Sequence, residues 1–501
     1  MITGSLFHQF KISHLPMWKQ NKSSVRVLAF TVITLTAIIL RLTISFSHDL
    51  IIGMDGGYYP VQIRNILKTG FLSFNDVPLY FYFCASIVKV ISLLGFALTD
   101  QMIINVIKIV DSTALPLLAI PLFKITTKND QKYPLFAGLA ILFFALFSFS
   151  PFKMLGDLQK NEFAIPVFIT FIYFLEDYLT TPSKRNLILT LLVLFVLALT
   201  HFGTFTFGLA FLTISLVVAF GRKAILPSMI TITIGCLIIA LFDFNRAYRI
   251  LTFWDVIFAR ELEFQGPHFL PILVNTVISY ALAIFGILQY RKQKHKTDQV
   301  TGTITLSLAV LILIFAFPLF DQQYAQRFHV LLFVPQSVLV FNLIRMNNKL
   351  ALPFSVSLVL ITLAFSLLYF NEEKKPCIDQ LAYRDLQNIG AHIPTDRAET
   401  IILARHGLEF WTAWNLNMKV ANDRSTDKLG LEKYKHIIFL QQKNEERHGP
   451  MGRRPMHKPE DGDGGHPPMD PGMDSPFGRP IPGNSKLIYS SPYFNAYQKL
   501  N

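Results

Sequence analysis

A polytopic all-α membrane protein with a small extracytoplasmic α/β domain at its C-terminal end is the fold class this sequence predicts, on three observations. The 501 residues are 52% hydrophobic and only 16% charged, with a mean hydropathy of +0.41. That is too apolar for an ordinary soluble two-domain chain. The apolar residues gather in runs near twenty, the length a helix needs to cross a hydrocarbon core of roughly 30 Å at about 1.5 Å per residue. Beyond residue 370 no such run occurs, and the chain turns mixed in charge. A porin-type barrel would instead show short alternating segments.

The first run covers residues 27–46. It follows Lys11, Lys19, Lys22 and Arg26, a basic stretch too long for a signal-peptide n-region, and no small-residue cleavage site comes after it. It reads as an uncleaved anchor with a cytoplasmic N-terminus. Further runs at 102–123, 134–152, 163–179, 187–200, 205–220, 224–242, 269–290, 304–320, 330–344 and 351–370 bring the expected total to about eleven.

Residues 78–97 are also apolar enough to span, and counting them would reverse every later segment. Left on the outer surface as a juxtamembrane helix, they put Lys124, Lys128, Lys132, Lys184, Arg185, Arg222, Lys223, the 291–296 cluster, Arg345 and Lys349 in the cytoplasm, as the positive-inside rule asks. Lys89 in mid-membrane would also cost about 3 kcal/mol. The formal charge of +13 is thus spent on orientation, and no nucleic-acid partner is implied. Cys84, Cys236 and Cys377 have no ligand spacing, so neither a zinc site nor a disulfide framework is supported.

Three outer regions follow from this threading: a long first loop at 47–101, a short second loop at 153–162 and a loop at 243–268. The transmembrane domain is residues 1–370, and residues 371–501 form the outer α/β domain. That domain has helices expected near 380–390 and 408–416 and strands at 400–404, 436–440 and near 487–489. The insertion at 447–485, containing HKPEDGDGGHPPMDPGMD, cannot bury a core and reads as disordered.

A membrane enzyme meets a lipid substrate and an aqueous acceptor at outer helix ends, so polar groups there are the candidates. Asp55, in GMDGGYYPVQIRNILKTG, precedes Gly56 and Gly57 and a helix carrying Pro60, Arg64 and Lys68. Its two readings are a catalytic carboxylate and a plain N-cap. In LGDLQKNE, Asp157 and Lys160 lie three residues apart on one helix face, either as functional groups or as a surface ion pair. His201, in LTHFGTF, and Arg327, in FDQQYAQRF, sit at the same level, with a structural helix end and an interfacial anchor as their simpler readings. Lys108 and Asp111, three apart inside one span, are expected to neutralise each other.

In their order along roughly the first 210 residues these features resemble the glycosyltransferase C superfamily, which includes oligosaccharyltransferases, protein O-mannosyltransferases and lipid A aminoarabinose transferases. The resemblance rests on an acidic residue soon after the first span (Asp55), a YY pair with a basic helix, PLYFY at residues 78–82, two further spans, and an acidic residue in the second outer loop (Asp157). WWDYG, the oligosaccharyltransferase signature, is absent, and Asp-Gly stands where mannosyltransferases carry Asp-Glu.

The resemblance implies a sugar donor on polyprenyl phosphate or pyrophosphate, a glycan, lipid or protein acceptor, and a bacterial or archaeal cell membrane. Asp55 would act on the acceptor. Asp157 would hold the acceptor, orient Lys160 or share a divalent cation with Asp55. Lys160, Arg327, His201 and Arg64 are the candidates for binding the donor phosphate and lipid. Two other classes compete. A secondary transporter would place its ionisable groups near the midplane and often show inverted repeats, which are not visible here. In a non-catalytic assembly protein the stretch around His406, Trp411 and Trp414 would be a ligand face, although core packing explains the two Trp more simply.

Overall fold

The computed structural model of the chain describes residues 22–128, 134–244, 248, 269–293, 298–320, 322–369, 373–394, 396–423, 430–443 and 481–500. Nearly all of the third outer loop and of the Pro/Gly/His/Met-rich insertion, together with Lys132, Lys296 and the basic residues before Lys22, lie outside the described residues.

Eight helices among the described residues are long and apolar enough to cross a membrane, and the chain is an integral membrane protein. Two predicted spans, Phe202–Phe220 and Ile225–Phe242, run as one apolar unit joined by the 3-10 turn Gly221–Ala224. Two others, Lys184–Thr200 and Gln299–Phe315, are helices of 17 residues. The Leu79–Leu93 helix has 15 residues, shorter than a full crossing, and Lys89 on it is exposed. Basic residues expected at one membrane surface do converge: Arg345 lies 2.7 Å from Glu176, and Lys128 pairs with Asp177.

The C-terminal region folds on a five-stranded sheet. Its strands are β1 (Thr400–Ala404), β2 (Lys419–Asn422), β3 (His436–Gln442), β4 (Ser485–Ser490) and β5 (Phe494–Lys499), in the order β2-β1-β3-β5-β4. β1 lies parallel to β2 and β3, whereas β5 is antiparallel to β3 and β4. All of β1, TIILA, is buried, which a β-branched run in a parallel sheet centre requires. Helices Gln380–Ile389 and Leu408–Leu416 match the two expected there.

Two strands, β2 and β5, escaped the sequence reading. KVAN is too short to show a period, and FNAYQK alternates buried residues with partly exposed polar ones.

One face of this sheet keeps a small core of its own, Ile401, Leu403 and Ile437, and the other shares its core with the first loop. Trp411, Trp414, Ile402 and Phe494 belong to the same apolar cluster as Ile51 and Tyr59 of the first outer loop and Tyr80 and Phe81 of the Leu79–Leu93 helix. Ile103, Ile107 and Val110 of the second membrane span join it, while the other membrane helices form a separate cluster. The first loop and the C-terminal region therefore pack as one layer over the membrane helices, and side chains from both reach the same point.

Candidate active site

Two close backbone approaches build that point. Gly53 and Gly156 both have left-handed backbones, φ 91° and 84°. A Cβ on Gly53 would lie 2.5 Å from Asp157 Oδ1, and one on Gly156 would lie 2.6 Å from the Ile52 carbonyl oxygen. Only glycine fits either position. With the two outer loops this close, the Met54 N–H donates to Asp157 Oδ1 at 2.8 Å. Asp55 directly follows Met54, and the charge of Asp157 bears on the Asp55 carboxyl.

Neither carboxylate is a helix cap. The Tyr58–Thr69 helix starts from Gly57 and the Gln159–Thr180 helix from Leu158, each without a side-chain cap. Asp55 is open on one side, its side chain 38% exposed, while its Oδ1 is shielded from solvent and accepts no hydrogen bond. His406 Nε2 lies 3.4 Å from that oxygen, and His406 Nδ1 lies 3.0 Å from Glu409 Oε1. Burial raises the Asp55 carboxyl above its ordinary value, His406 works against that, and the charges of Asp157 and Glu409 add to it. The hydrogen bond to Glu409 raises His406, and the charges of Glu409 and Asp55 add to this against some burial.

Asp157 Oδ2 lies 3.2 Å from Lys374 Nζ, and the same ammonium donates to the Lys153 carbonyl at 2.9 Å. The expected pairing of Asp157 with Lys160 does not form. Lys160 pairs instead with Asp76, which also accepts from the Tyr58 hydroxyl at 2.5 Å, and the ammonium stands over the rings of Tyr58 and Phe81. Helical spacing put Lys160 on the right face, but Asp76 on the first loop is the partner it reaches. It remains close enough to lower the Asp55 carboxyl.

Lys108 and Asp111 likewise do not neutralise each other. Lys108 donates to the carbonyls of His48 and Asp49, and Asp111 Oδ2 accepts from the Gly156 N–H at 3.0 Å.

Of the remaining candidates, Arg64 donates to the carbonyls of Trp414, at 2.7 Å, and Ala413, at 3.2 Å, and stacks 4.1 Å from the Trp414 ring. These are last-turn carbonyls of the Leu408–Leu416 helix, at the end that favours a cation; Ala413 also accepts the Asn417 N–H at 3.1 Å. Arg64 thus docks the C-terminal region on the first loop rather than reaching a phosphate. Arg64→Ala is expected to weaken this docking by about 1.5–3 kcal/mol, read as faster amide exchange in Leu408–Leu416.

His201 caps the Phe202–Phe220 helix, accepting from the Thr204 N–H at 3.1 Å. Arg327 is exposed on Gln322–Leu331, a helix whose Gln326 and His329 line an apolar cavity between membrane helices. Phe144, Phe149, Phe333, Ile361 and Phe365 supply its walls, and Lys153 lines it too, its carbonyl bonded to the Lys374 ammonium that also reaches Asp157. Trp411 and Trp414 are core residues, 0% and 1% exposed, so the ligand face expected of them is reduced to His406.

The resemblance left room for a divalent cation on Asp55 and Asp157. The donors do not fit one: Asp157 is taken up by Met54 and Lys374, and no group of three His, Cys, Asp or Glu that could hold a metal occurs among the described residues.

No protein-family model matches the chain, and no curated protein sequence does either. Solved structures do match. The crystal structure of the Archaeoglobus fulgidus oligosaccharyltransferase tethered to an acceptor peptide containing the NVT sequon aligns with a TM-score of 0.56 and 11% identity, over 84% of this chain and 69% of that one. Its apo form aligns at 0.54 and 12%, over 84% and 70%. The complex of the archaeal enzyme AglB from the same organism with an inhibitory peptide and a dolichol-phosphate aligns at 0.50 and 11%, over 84% and 70%. At such identities the likeness is one of fold alone, shared with these archaeal oligosaccharyltransferase structures.

Proposed function

We propose that the chain is a membrane glycosyltransferase that moves a sugar from a polyprenyl-phosphate carrier to an acceptor on the non-cytoplasmic face of a bacterial or archaeal membrane, inverting the anomeric carbon. The observation that carries this reading is the meeting of two outer-loop carboxylates, the partly exposed Asp55 with His406 beside it and Asp157 close enough to act on its charge. A transfer of this kind needs a base for the acceptor and positive charge for the leaving phosphate, and it needs no acid, because phosphate departs without a proton.

Asp55 is the base. The solvent-accessible side of its carboxylate takes the proton of the attacking hydroxyl or amine as the new bond forms at the anomeric carbon. The bond from that carbon to the phosphate oxygen breaks with its electron pair, on the opposite face. Glu409 holds His406, and His406 holds the Asp55 carboxylate in line. Lys160 adds positive charge to the leaving side. The apolar cavity suits the prenyl chain, and the oligosaccharyltransferase structures, one with an acceptor peptide and another with an inhibitory peptide and a dolichol-phosphate, make a polypeptide the first acceptor to try.

Membranes containing the full chain should move radiolabelled sugar from polyprenyl-phosphate or polyprenyl-pyrophosphate donors onto peptide, glycan or lipid acceptors. The labelled product identifies the acceptor. If every donor is inert while the same membranes carry out a selective solute flux, the transporter reading replaces this one.

A further inference from the structure

We infer that Lys374 is the built-in cation of this site, binding the donor phosphate where a divalent metal would otherwise stand against Asp157. This rests on the reading above and adds a residue that neither its sequence context nor its spacing marked out.

Lys374 follows the last membrane helix in NEEKKP, a setting in which a lysine is ordinarily a snorkelling anchor. The geometry is different. The Gly53 N–H donates to the Lys375 carbonyl at 2.9 Å and Gly53 forms a parallel bridge with Pro376, so the backbone beside Lys374 is fixed to the loop that carries Asp55. The Lys374 side chain is only 14% exposed. Its ammonium is held between Asp157 Oδ2, at 3.2 Å, and the Lys153 carbonyl, at 2.9 Å, with the Phe152 ring 5.7 Å away. An ammonium has three donors. Those two acceptors leave one N–H for an incoming phosphate oxygen.

The ammonium and the apolar cavity also share a residue: Lys153 is among the residues that line the cavity, and its backbone carbonyl is the one that Lys374 holds at 2.9 Å. Lys160, the other lysine near these carboxylates, is already paired with Asp76. A lysine that neutralises Asp157 also removes the negative charge and the open lone pair that a divalent ion would need.

The test uses the purified full chain in nanodiscs and two binding measurements that need no turnover. Titration with Mn²⁺, followed by its paramagnetic resonance signal, should show no site tighter than about 1 mM in the wild type, as expected where a fixed ammonium occupies the carboxylate. Binding of polyprenyl phosphate alone should weaken by about a hundredfold in Lys374→Met and by less than tenfold in Lys374→Arg, which keeps the charge. Thermal unfolding and gel filtration establish that both variants are folded. A wild-type Mn²⁺ site of micromolar affinity that disappears in Asp157→Asn overturns the inference. So does a folded Lys374→Met that binds polyprenyl phosphate as the wild type does. If phosphate binding depends on Lys374 while no donor supports transfer, the glycosyltransferase reading fails and the phosphate site stands.

Discussion

Asp55→Asn is expected to lower the turnover of sugar transfer by about 10²- to 10⁴-fold, the range associated with loss of a positioned general base, while the protein stays folded. The second half of that expectation follows from the contacts. Asp55 caps no helix, and among the described residues its Oδ1 accepts no hydrogen bond and its one close ionic partner is the half-exposed His406, so exchanging the carboxylate for an amide removes little that holds the loop. The Asp55 carbonyl, which receives the Tyr58 N–H at 2.9 Å, is untouched.

The pH profile gives an independent reading of the same group. Burial raises the Asp55 carboxyl above the ordinary carboxylate value of about 3.9. A base must be deprotonated to work, so activity is lost as pH falls through that raised value, and the acid limb of kcat/KM lies above the range of a free carboxylate. His406 pulls the Asp55 value down, so His406→Gln is expected to move the limb further toward neutral pH. Equal transfer by wild type and Asp55→Asn at matched protein levels would remove Asp55 from the chemistry.

Sequence carried the reading furthest where the physics is local or repetitive. Apolar runs mark membrane helices because the bilayer imposes one length, and the basic residues between them mark one membrane surface, where Arg345 and Lys128 do meet Glu176 and Asp177. Asp55 and Asp157 stood out as carboxylates beside glycines in the long first and short second outer loops. What stayed hidden was the partner of each charge.

Helical spacing proposed Lys108 for Asp111 and Lys160 for Asp157. An i, i+3 pair is worth only about 0.2–0.5 kcal/mol, however, and backbone carbonyls, the Gly156 N–H and Asp76 outcompeted it. Lys374 and His406 reach the site from the C-terminal region, more than two hundred residues beyond Asp157 and Asp55 respectively, across a packing interface that no local period encodes. The nearest thing to a signal was His406 three residues before Glu409 in RHGLEF, next to two tryptophans whose burial was legible.

Arg41 shows how much of the site depends on such hidden pairing, and Glu162→Ala is accordingly expected to cost about 3–5 kcal/mol of stability. Arg41 sits in the first membrane helix, where the apolar run concealed it, and it is 5% exposed; Glu162 is 0% exposed. The guanidinium pairs with Glu162 and donates to the carbonyls of Pro151, at 3.0 Å, and Asp111, at 3.2 Å. The Asp111 carboxylate then receives the Gly156 N–H, and Gly156 precedes Asp157.

Removing Glu162 alone leaves an arginine charge buried without its counter-ion, which is the expensive way to break a buried pair. Arg41→Met alone strands the carboxylate in the same way. The double variant Arg41→Met/Glu162→Met removes both charges and keeps apolar volume, so it should recover most of the loss. Asp111→Asn should cost less than either single change, because its amide oxygen can still accept from Gly156. Equilibrium unfolding of the four variants measures the coupling. If the two single changes each cost under about 1 kcal/mol and simply add, this cluster is not what supports the second outer loop.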